Sequence, residues 1–315
     1  KDYISNLGFK NNFGLYLKNL NDVGKDESIY TSNGHIDRMS TLKFDTSLPL
    51  LKSNNMYKET LTPKISFRIN PGNNMDNYSG SSANITANNV FGINRLGISS
   101  DFEAGRSFTF GLDYKFDQLE DNFLEDKKDK YLELKLATVV RDQNEADIPT
   151  SSTINQKSSD IFGSINNRLF DNLNLTYDFS LDNDMKTINS NSFKTEISVN
   201  NFVTTFNYIE QRNVIGSTHL LSNVTEYQIN DNTSLKFSTR RNKAINLTEY
   251  YDLSYEYKND CLTAALRFNK SFYQDNDLKP TEDLFFSITL IPLTTYEREI
   301  YKKTPGQSGL KGWFR

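Results

Sequence analysis

The chain has 315 residues, with 36 Lys and Arg against 40 Asp and Glu, and its pI near 5.4 excludes the basic face that a nucleic-acid partner requires. A hydrophobic share of 36% and a mean hydropathy of -0.63 hint at disorder, but 22 Phe and 17 Tyr contradict it, because disordered chains are poor in aromatic rings. One Cys and two His cannot build a Cys/His metal cluster, so neither a metal nor a cofactor is expected.

Apolar residues recur with a period of two almost throughout. A strand points successive side chains to opposite faces, whereas a helix would scatter them around its circumference. In chain order the pattern predicts strands around Phe13–Leu17, Leu42–Leu48, Ile65–Ile69, Val90–Arg95, Phe108–Phe116, Leu132–Leu136 and Ile161–Ile165. It continues through Leu173–Leu181, Phe193–Val199, Phe202–Tyr208, Val224–Ile229, Leu235–Phe237, Tyr251–Tyr257, Leu262–Phe268 and Leu284–Leu290. Tight turns such as Asn230-Asp231-Asn232 and Asn259-Asp260 separate some strands. Long polar connections separate others: 70–87, 117–130 (where Gln118–Lys130 has room for one helical turn) and 141–158. Residues 1–293 read as one β-domain, and 294–315, which lack alternation, as a tail.

A soluble β-sandwich or propeller also alternates. Its oily face favours compact Val, Ile and Leu, whereas here that face is crowded with Phe and Tyr, and charges sit in mid-strand on the other. An all-β, antiparallel outer-membrane transmembrane barrel asks for strands of about 9–11 residues, an apolar lipid face, a polar lumen, aromatic girdles, and short connections alternating with long ones. The sequence has all five, with roughly 14–15 candidate strands. On this reading Phe108, Phe110, Leu112, Leu173, Leu175, Phe179, Leu253, Leu266 and Phe268 face lipid, while Asp113, Lys115, Glu133, Lys135, Asp178, Lys194, Glu196 and Arg267 line a hydrated lumen. No apolar run approaches the length of a transmembrane helix, and the opening KDYISNLGFK, without a Met or signal pattern, reads as part of a longer protein.

The carboxy-terminal stretch is the most specific. Leu253-Ser254-Tyr255-Glu256-Tyr257-Lys258-Asn259-Asp260-Cys261-Leu262 is followed by Phe268-Asn269-Lys270-Ser271-Phe272, then Asp275-Asn276-Asp277-Leu278-Lys279-Pro280, then Leu284-Phe285-Phe286-Ser287-Ile288-Thr289-Leu290. This order resembles the end of the LPS-assembly protein family LptD (OstA, Imp) in its alphaproteobacterial form. Phe13–Asn19, Phe44–Leu50, Leu61–Lys64, Asn89–Gly97 and Gly111–Tyr114 are similar to the same family's barrel, and the resemblance spans about Phe13 to Pro292, weakest in the Asn-rich middle. It implies a translocon in the cell outer membrane, embedded in outer-membrane lipid, that assembles lipopolysaccharide into the outer leaflet. It further implies an LptE-like plug lipoprotein as partner, and periplasmic LPS-transport bridge proteins reached through an amino-terminal domain that these residues do not contain. It implies as well a larger barrel, of which these roughly 14–15 strands would be the carboxy-terminal part, with a lateral gate between its first and last strands, one lip of which Leu284, Phe286, Ile288, Leu290 and Pro292 would form. A porin-like diffusion channel, which shares the barrel physics, is the alternative.

Cys261 is either an adventitious thiol or, as the resemblance implies, a disulfide partner of the amino-terminal domain. His35 and His219 lie in no recognisable Ser or Asp motif, so no catalytic residue is assigned and the protein is expected not to be an enzyme. Asp182-Asn183-Asp184 and Asp275-Asn276-Asp277 fit Asx-turns better than a Ca²⁺ loop. Pro49, Pro63 and Pro292 belong at strand ends or interruptions, since proline lacks a ladder donor.

Overall fold

The computed structural model describes residues 2–22, 35–72, 83–98, 101–119, 130–212, 218–272, 280–291 and 294–303. They form the seventeen strands of an antiparallel sheet: β1 (Asp2–Ile4), β2 (Lys10–Asp22), β3 (His35–Ser47), β4 (Leu50–Ser53), β5 (Tyr57–Asn70), β6 (Gly105–Gln118), β7 (Lys130–Arg141), β8 (Ser158–Phe170), β9 (Leu173–Leu181), β10 (Ile188–Val199), β11 (Phe202–Gln211), β12 (Thr218–Asn230), β13 (Thr233–Asn242), β14 (Leu247–Lys258), β15 (Leu262–Ser271), β16 (Thr281–Leu290) and β17 (Thr294–Lys303). A single 3-10 turn, Thr150–Ser152, is the one helical element among the described residues, none of which form a helix long and apolar enough to cross a membrane. The chain divides into two compact units, 1–169 with 177–190, and 170–176 with 191–315.

In the first unit β2, β3, β5, β6, β7 and β8 pair in sequence. Direct cross-strand partners share a face, so the register lays side chains in rows. Phe13 pairs with Phe44, Phe44 with Phe67, Phe67 with Phe108, and Phe108 with Val140. The Phe67 and Phe108 rings lie 4.8 Å apart. Phe13, Phe44 and Phe108 are 53%, 39% and 46% exposed. Ile65, Phe110 and Thr138 form the next row, and Pro63, Leu112 and Leu136 another. Pro63 sits where β3 has ended and β4 has not begun, beside Leu48 and Pro49, so its missing N–H leaves no ladder bond broken.

The opposite face of this unit is polar: Lys43, Arg68, Ser107 and Arg141 are successive cross-strand partners on β3, β5, β6 and β7. Here the buried cluster gathers. Ile85, Ala87, Val90, Leu96 and Ile98 from the β5–β6 connection, and Ile148 and Ile154 from the β7–β8 connection, pack with Ala137, Val139 and Phe162 of the strands. These long polar connections therefore carry apolar side chains that cover the polar face. The aromatic face has no such layer among the described residues, the reverse of a soluble sandwich, where the oily face is the core.

Three expectations need correction. Val90–Arg95 is not a strand. Val90 and Gly92 donate backbone hydrogen bonds to Thr86 and Asn89, and Gly97 to Asn94. The Asn89 amide ties Thr86 and Asn84 into the same turn, so Asx chemistry and a positive-φ Gly97 override the alternation. Residues 294–303, read as tail, are β17, paired along β16. A bulge between Leu284 and Phe285 puts Tyr301 opposite Leu284 and Tyr296 opposite Ile288, so the apolar spacing on β17 is five and a search for period two passes over it. Finally, β16 is hydrogen-bonded to β15 and to β17, so Leu284, Phe286, Ile288 and Leu290 are not on a terminal strand. β1 and β4 are too short for periodicity to find. Pro292, the Gln118–Lys130 turn beyond its first two and last residues, and Asp275–Asp277 lie outside the described residues.

In the second unit β11 to β17 pair in sequence. Phe202, Tyr227, Leu235, Tyr255, Leu266 and Phe286 form one row, each opposite the next. Phe237, Leu253, Phe268 and Leu284 form another. Connections of two or three residues (200–201, 231–232, 259–261, 291–293) alternate with ones of four to nine (212–217, 243–246, 272–280), so each unit-2 hairpin has a short-turn end and a long-loop end.

Candidate functional site: an arginine–glutamate hub on the polar face

The strands bring Arg68 and Arg141 to the polar face of the first unit, and the β5–β6 connection folds back over them carrying Arg95 and Glu103. Glu103 is the centre. Its carboxylate accepts from Arg68 Nη1 at 2.8 Å, from Arg95 Nε at 2.6 Å and Nη2 at 2.5 Å, and from Arg141 Nη2. The side chains of Arg68, Arg95, Glu103 and Arg141 are 4%, 1%, 2% and 0% exposed.

Remaining donors are satisfied by neighbours. Arg95 Nη1 donates to Thr109 Oγ1 at 2.8 Å and Val90 O at 3.0 Å, and Nη2 to Ser107 Oγ at 3.0 Å. Arg141 Nη1 donates to Ala104 O at 2.9 Å and Nε to Ile154 O, while Arg68 Nη2 reaches Gly92 O. Each strand arginine thus holds backbone carbonyls of an inserted segment as well as the shared carboxylate. Guanidinium suits this, because its planar fork donates in several directions at once and stays charged when buried.

Burial works against ionising Glu103, but Arg95 and Arg68, with Arg141 behind them, outweigh it and hold the carboxyl well below the usual carboxylate range. Next along the row, Lys43 pairs with Asp45 at 2.5 Å. Four cations, Lys43, Arg68, Arg95 and Arg141, therefore meet two carboxylates, Asp45 and Glu103.

A glycine admits the inserted segment. Gly111 lies on the polar face between Lys64 and Ala137, and a Cβ there would stand 2.6 Å from Phe91 Cζ. Phe91 packs against the buried cluster and has Lys64 Nζ above its ring at 5.7 Å. Gly111→Val is expected to push Phe91 off the sheet and lower stability by about 1–3 kcal/mol, as overpacking does; the temperature at which the folded band disappears on an unheated-versus-heated gel measures it.

Asp113 and Lys115 on β6, and Glu133 and Lys135 on β7, alternate with the residues of the aromatic rows. Asp113 is opposite Lys135, and Lys115 opposite Glu133. Asp113 pairs with Lys64, Lys115 with Asp117 at 2.6 Å, and Glu133 with Lys135 at 3.0 Å. Asn88 bridges Lys135 (2.9 Å) to Asp178 (3.4 Å), so the inserted segment touches both. Lys194 is exposed and Glu196 half-buried, alternating with Phe193 and Ile197. Arg267 donates to Asp252 at 2.7 Å.

Several of the residues read as lipid-facing lie in the aromatic rows. Phe108, Phe110 and Leu112 do so in the first unit, and Leu253, Leu266 and Phe268 in the second. Leu173 and Leu175 are half-buried and have the same parity along β9 as Phe179, whose ring lies over Gly163.

Cys261 is a free, exposed thiol in a short turn, where Asn259 Oδ1 accepts from the Cys261 and Leu262 amides. The His35 side chain is outside the described residues. His219 contacts the Tyr208 hydroxyl at 2.8 Å, which donates to Glu210 at 3.0 Å, a polar cluster at the long-loop end that sequence reasoning missed. The hub was missed too: its signal, Arg and Glu within a segment otherwise rich in Asn and small apolar residues, carries no spacing rule. Among the described residues no three His, Cys, Asp or Glu side chains gather as metal ligands.

Antiparallel strands of 9–14 residues, bare aromatic rows on one face and ionic groups on the other define the class of outer-membrane β-barrel proteins. Within that class the family model for LPS transport system D, LptD, matches residues 16–233, more than two thirds of the chain, and the chain belongs to this family. The match includes the hub and all of β3 to β12; the motif-bearing stretch Leu253–Leu290 lies beyond it. No curated protein matches the chain.

Proposed function

We propose that the chain is part of an outer-membrane translocon that places lipopolysaccharide in the outer leaflet, its sugar headgroup travelling along the polar face while the acyl chains leave sideways through a strand seam. Family membership in LPS transport carries this reading, and the face segregation supports it. An amphiphile needs a wet path for the sugar and an apolar exit for the tails, and only a seam between strands joins the two.

On this reading the aromatic rows meet outer-membrane hydrocarbon, and the short-turn ends face the periplasm, as in barrels generally. Cys261 then faces the oxidising compartment, where a disulfide to a periplasmic domain is chemically reasonable. The protein performs no covalent chemistry, and its driving force comes from periplasmic bridge partners, with an LptE-like lipoprotein as plug.

The test is a photoreactive side chain at Lys115, Glu133 or Arg267 in the full-length protein, in cells making lipopolysaccharide. Adducts of lipopolysaccharide are expected at these polar-face positions, with at most a tenth as many at Phe110 or Phe44. Equal or absent adducts at the polar positions would sink the reading.

A further inference from the structure

The hub has too little negative charge for its place. Three guanidiniums, all at least 96% buried, share one carboxylate, and an under-neutralised buried cation is costly. Two of the three, Arg68 and Arg141, are fixed on strands, in a cross-strand row with Lys43 and the Ser107 hydroxyl between them. The other two members, Arg95 and Glu103, arrive on a connection that covers this row. Lift its described residues (83–98 and 101–104) away, and the strands retain a row of three cations, one of which, Lys43, keeps its Asp45 partner, on the face assigned to a headgroup.

We infer that this row is a receptor for the phosphate of a phosphorylated glycolipid headgroup, and that Glu103 is a built-in stand-in for that phosphate which keeps the receptor closed. The inference rests on the translocon reading and goes beyond it by assigning the residues and the chemistry. A phosphate monoester brings about two negative charges and three acceptor oxygens, against one charge and two oxygens from Glu103. It neutralises the row better than the carboxylate does, and Arg forks bind phosphate in two-point fashion. The phosphate can therefore displace the segment by competing for the same donors, and the segment returns when the phosphate leaves. Neither step breaks a covalent bond.

The experiment uses the full-length protein in detergent, carrying a reporter thiol Ala137→Cys, with labelling at that position read by mass spectrometry. Ala137 is 4% exposed, beneath the inserted segment. In the parent the thiol is expected to react slowly with a charged maleimide. Bisphosphorylated lipid A is expected to speed that reaction at least tenfold, and lipid A stripped of both phosphates is expected to leave it unchanged. Glu103→Gln should speed labelling tenfold without lipid and tighten binding of the phosphorylated lipid by a similar factor. Adding Arg68→Gln and Arg141→Gln should abolish that binding.

The lipid arm needs no Glu103 variant, so it decides the matter even if Glu103→Gln fails to give the heat-modifiable folded band. Equal effects of phosphorylated and stripped lipid, or none from either, would overturn the inference. Inorganic phosphate matching the lipid at equal phosphate concentration would overturn the headgroup assignment. Failure here with polar-face adducts intact in cells leaves the translocon standing and removes the receptor. Success here without adducts does the opposite.

Discussion

Glu103→Ala is expected to destabilise the first unit by about 3–5 kcal/mol, the range for removing one partner of a buried ionic cluster. The change leaves three buried guanidiniums facing one another with no carboxylate between them. Arg95→Met should cost less, because Glu103 keeps Arg68 and Arg141, and the two changes together should cost less than their sum, since each removes the same contacts. The midpoint of the heat-modifiable gel shift reads all three variants, and an additive pair would show that Arg95 and Glu103 are not coupled. The pH dependence follows from the same geometry. Glu103 is depressed in the folded chain, so its contribution is complete above the ordinary carboxylate value of 4.5, shrinks progressively as pH falls below it, and is gone once pH has passed the much lower folded value. The carboxylate should therefore stay ionised in the folded chain at pH 4, while the gap in stability between parent and Glu103→Ala should hold constant down to about pH 5 and narrow steadily below about pH 4.5 as the unfolded chain takes up the proton. Narrowing between pH 6 and pH 5 would show that the carboxylate is not held by the arginines.

Arginine placed on the aromatic face should be costly in a bilayer and harmless in water. Phe110→Arg and Leu266→Arg, at positions 42% and 41% exposed, are each expected to cost about 2–4 kcal/mol if these rows lie at mid-bilayer depth. Ala265→Arg, one position along β15 and on the opposite face, should stay within about 0.5 kcal/mol, as substitutions away from packed features do. Urea unfolding from phospholipid vesicles measures the difference. A water-facing sheet would tolerate all three alike, and that result would remove the membrane from the account.

The segregation of the two faces also explains why the chain tolerates so low a mean hydropathy. Lipid-facing side chains need only every second residue of each strand, so half of each strand remains free for Lys, Asp, Ser and Asn. The aromatic rows are continuous over several strands and half exposed, far beyond the scattered apolar residues of a soluble surface. Pairing of the rings adds about 0.5–1.5 kcal/mol for each close contact such as Phe67 with Phe108, and the larger stabilisation comes from keeping that area out of water.

What the sequence alone determined here is the alternation. Leu173 to Leu181, Phe108 to Phe116 and Leu262 to Phe268 declare strands and their two faces, because which face a side chain takes depends on nothing beyond its parity in an extended chain. The short turns around Asp231 and Asn259 were legible for the same reason, since Asx chemistry acts over two or three residues. Only the tertiary structure decided the rest. Glu103 meets Arg68 and Arg141 across 35 and 38 residues, and no local rule relates residues so far apart. Val90–Arg95 alternates like a strand, yet the salt bridge of Arg95 and the turns closed by Asn89 draw it onto the sheet. β17 hides behind a bulge that changes a spacing of four into five. Alternation is a property of neighbours along the chain, while the hub, the covered polar face and the pairing of β16 on both edges depend on neighbours across the sheet, whose register is set by the packing of the whole unit.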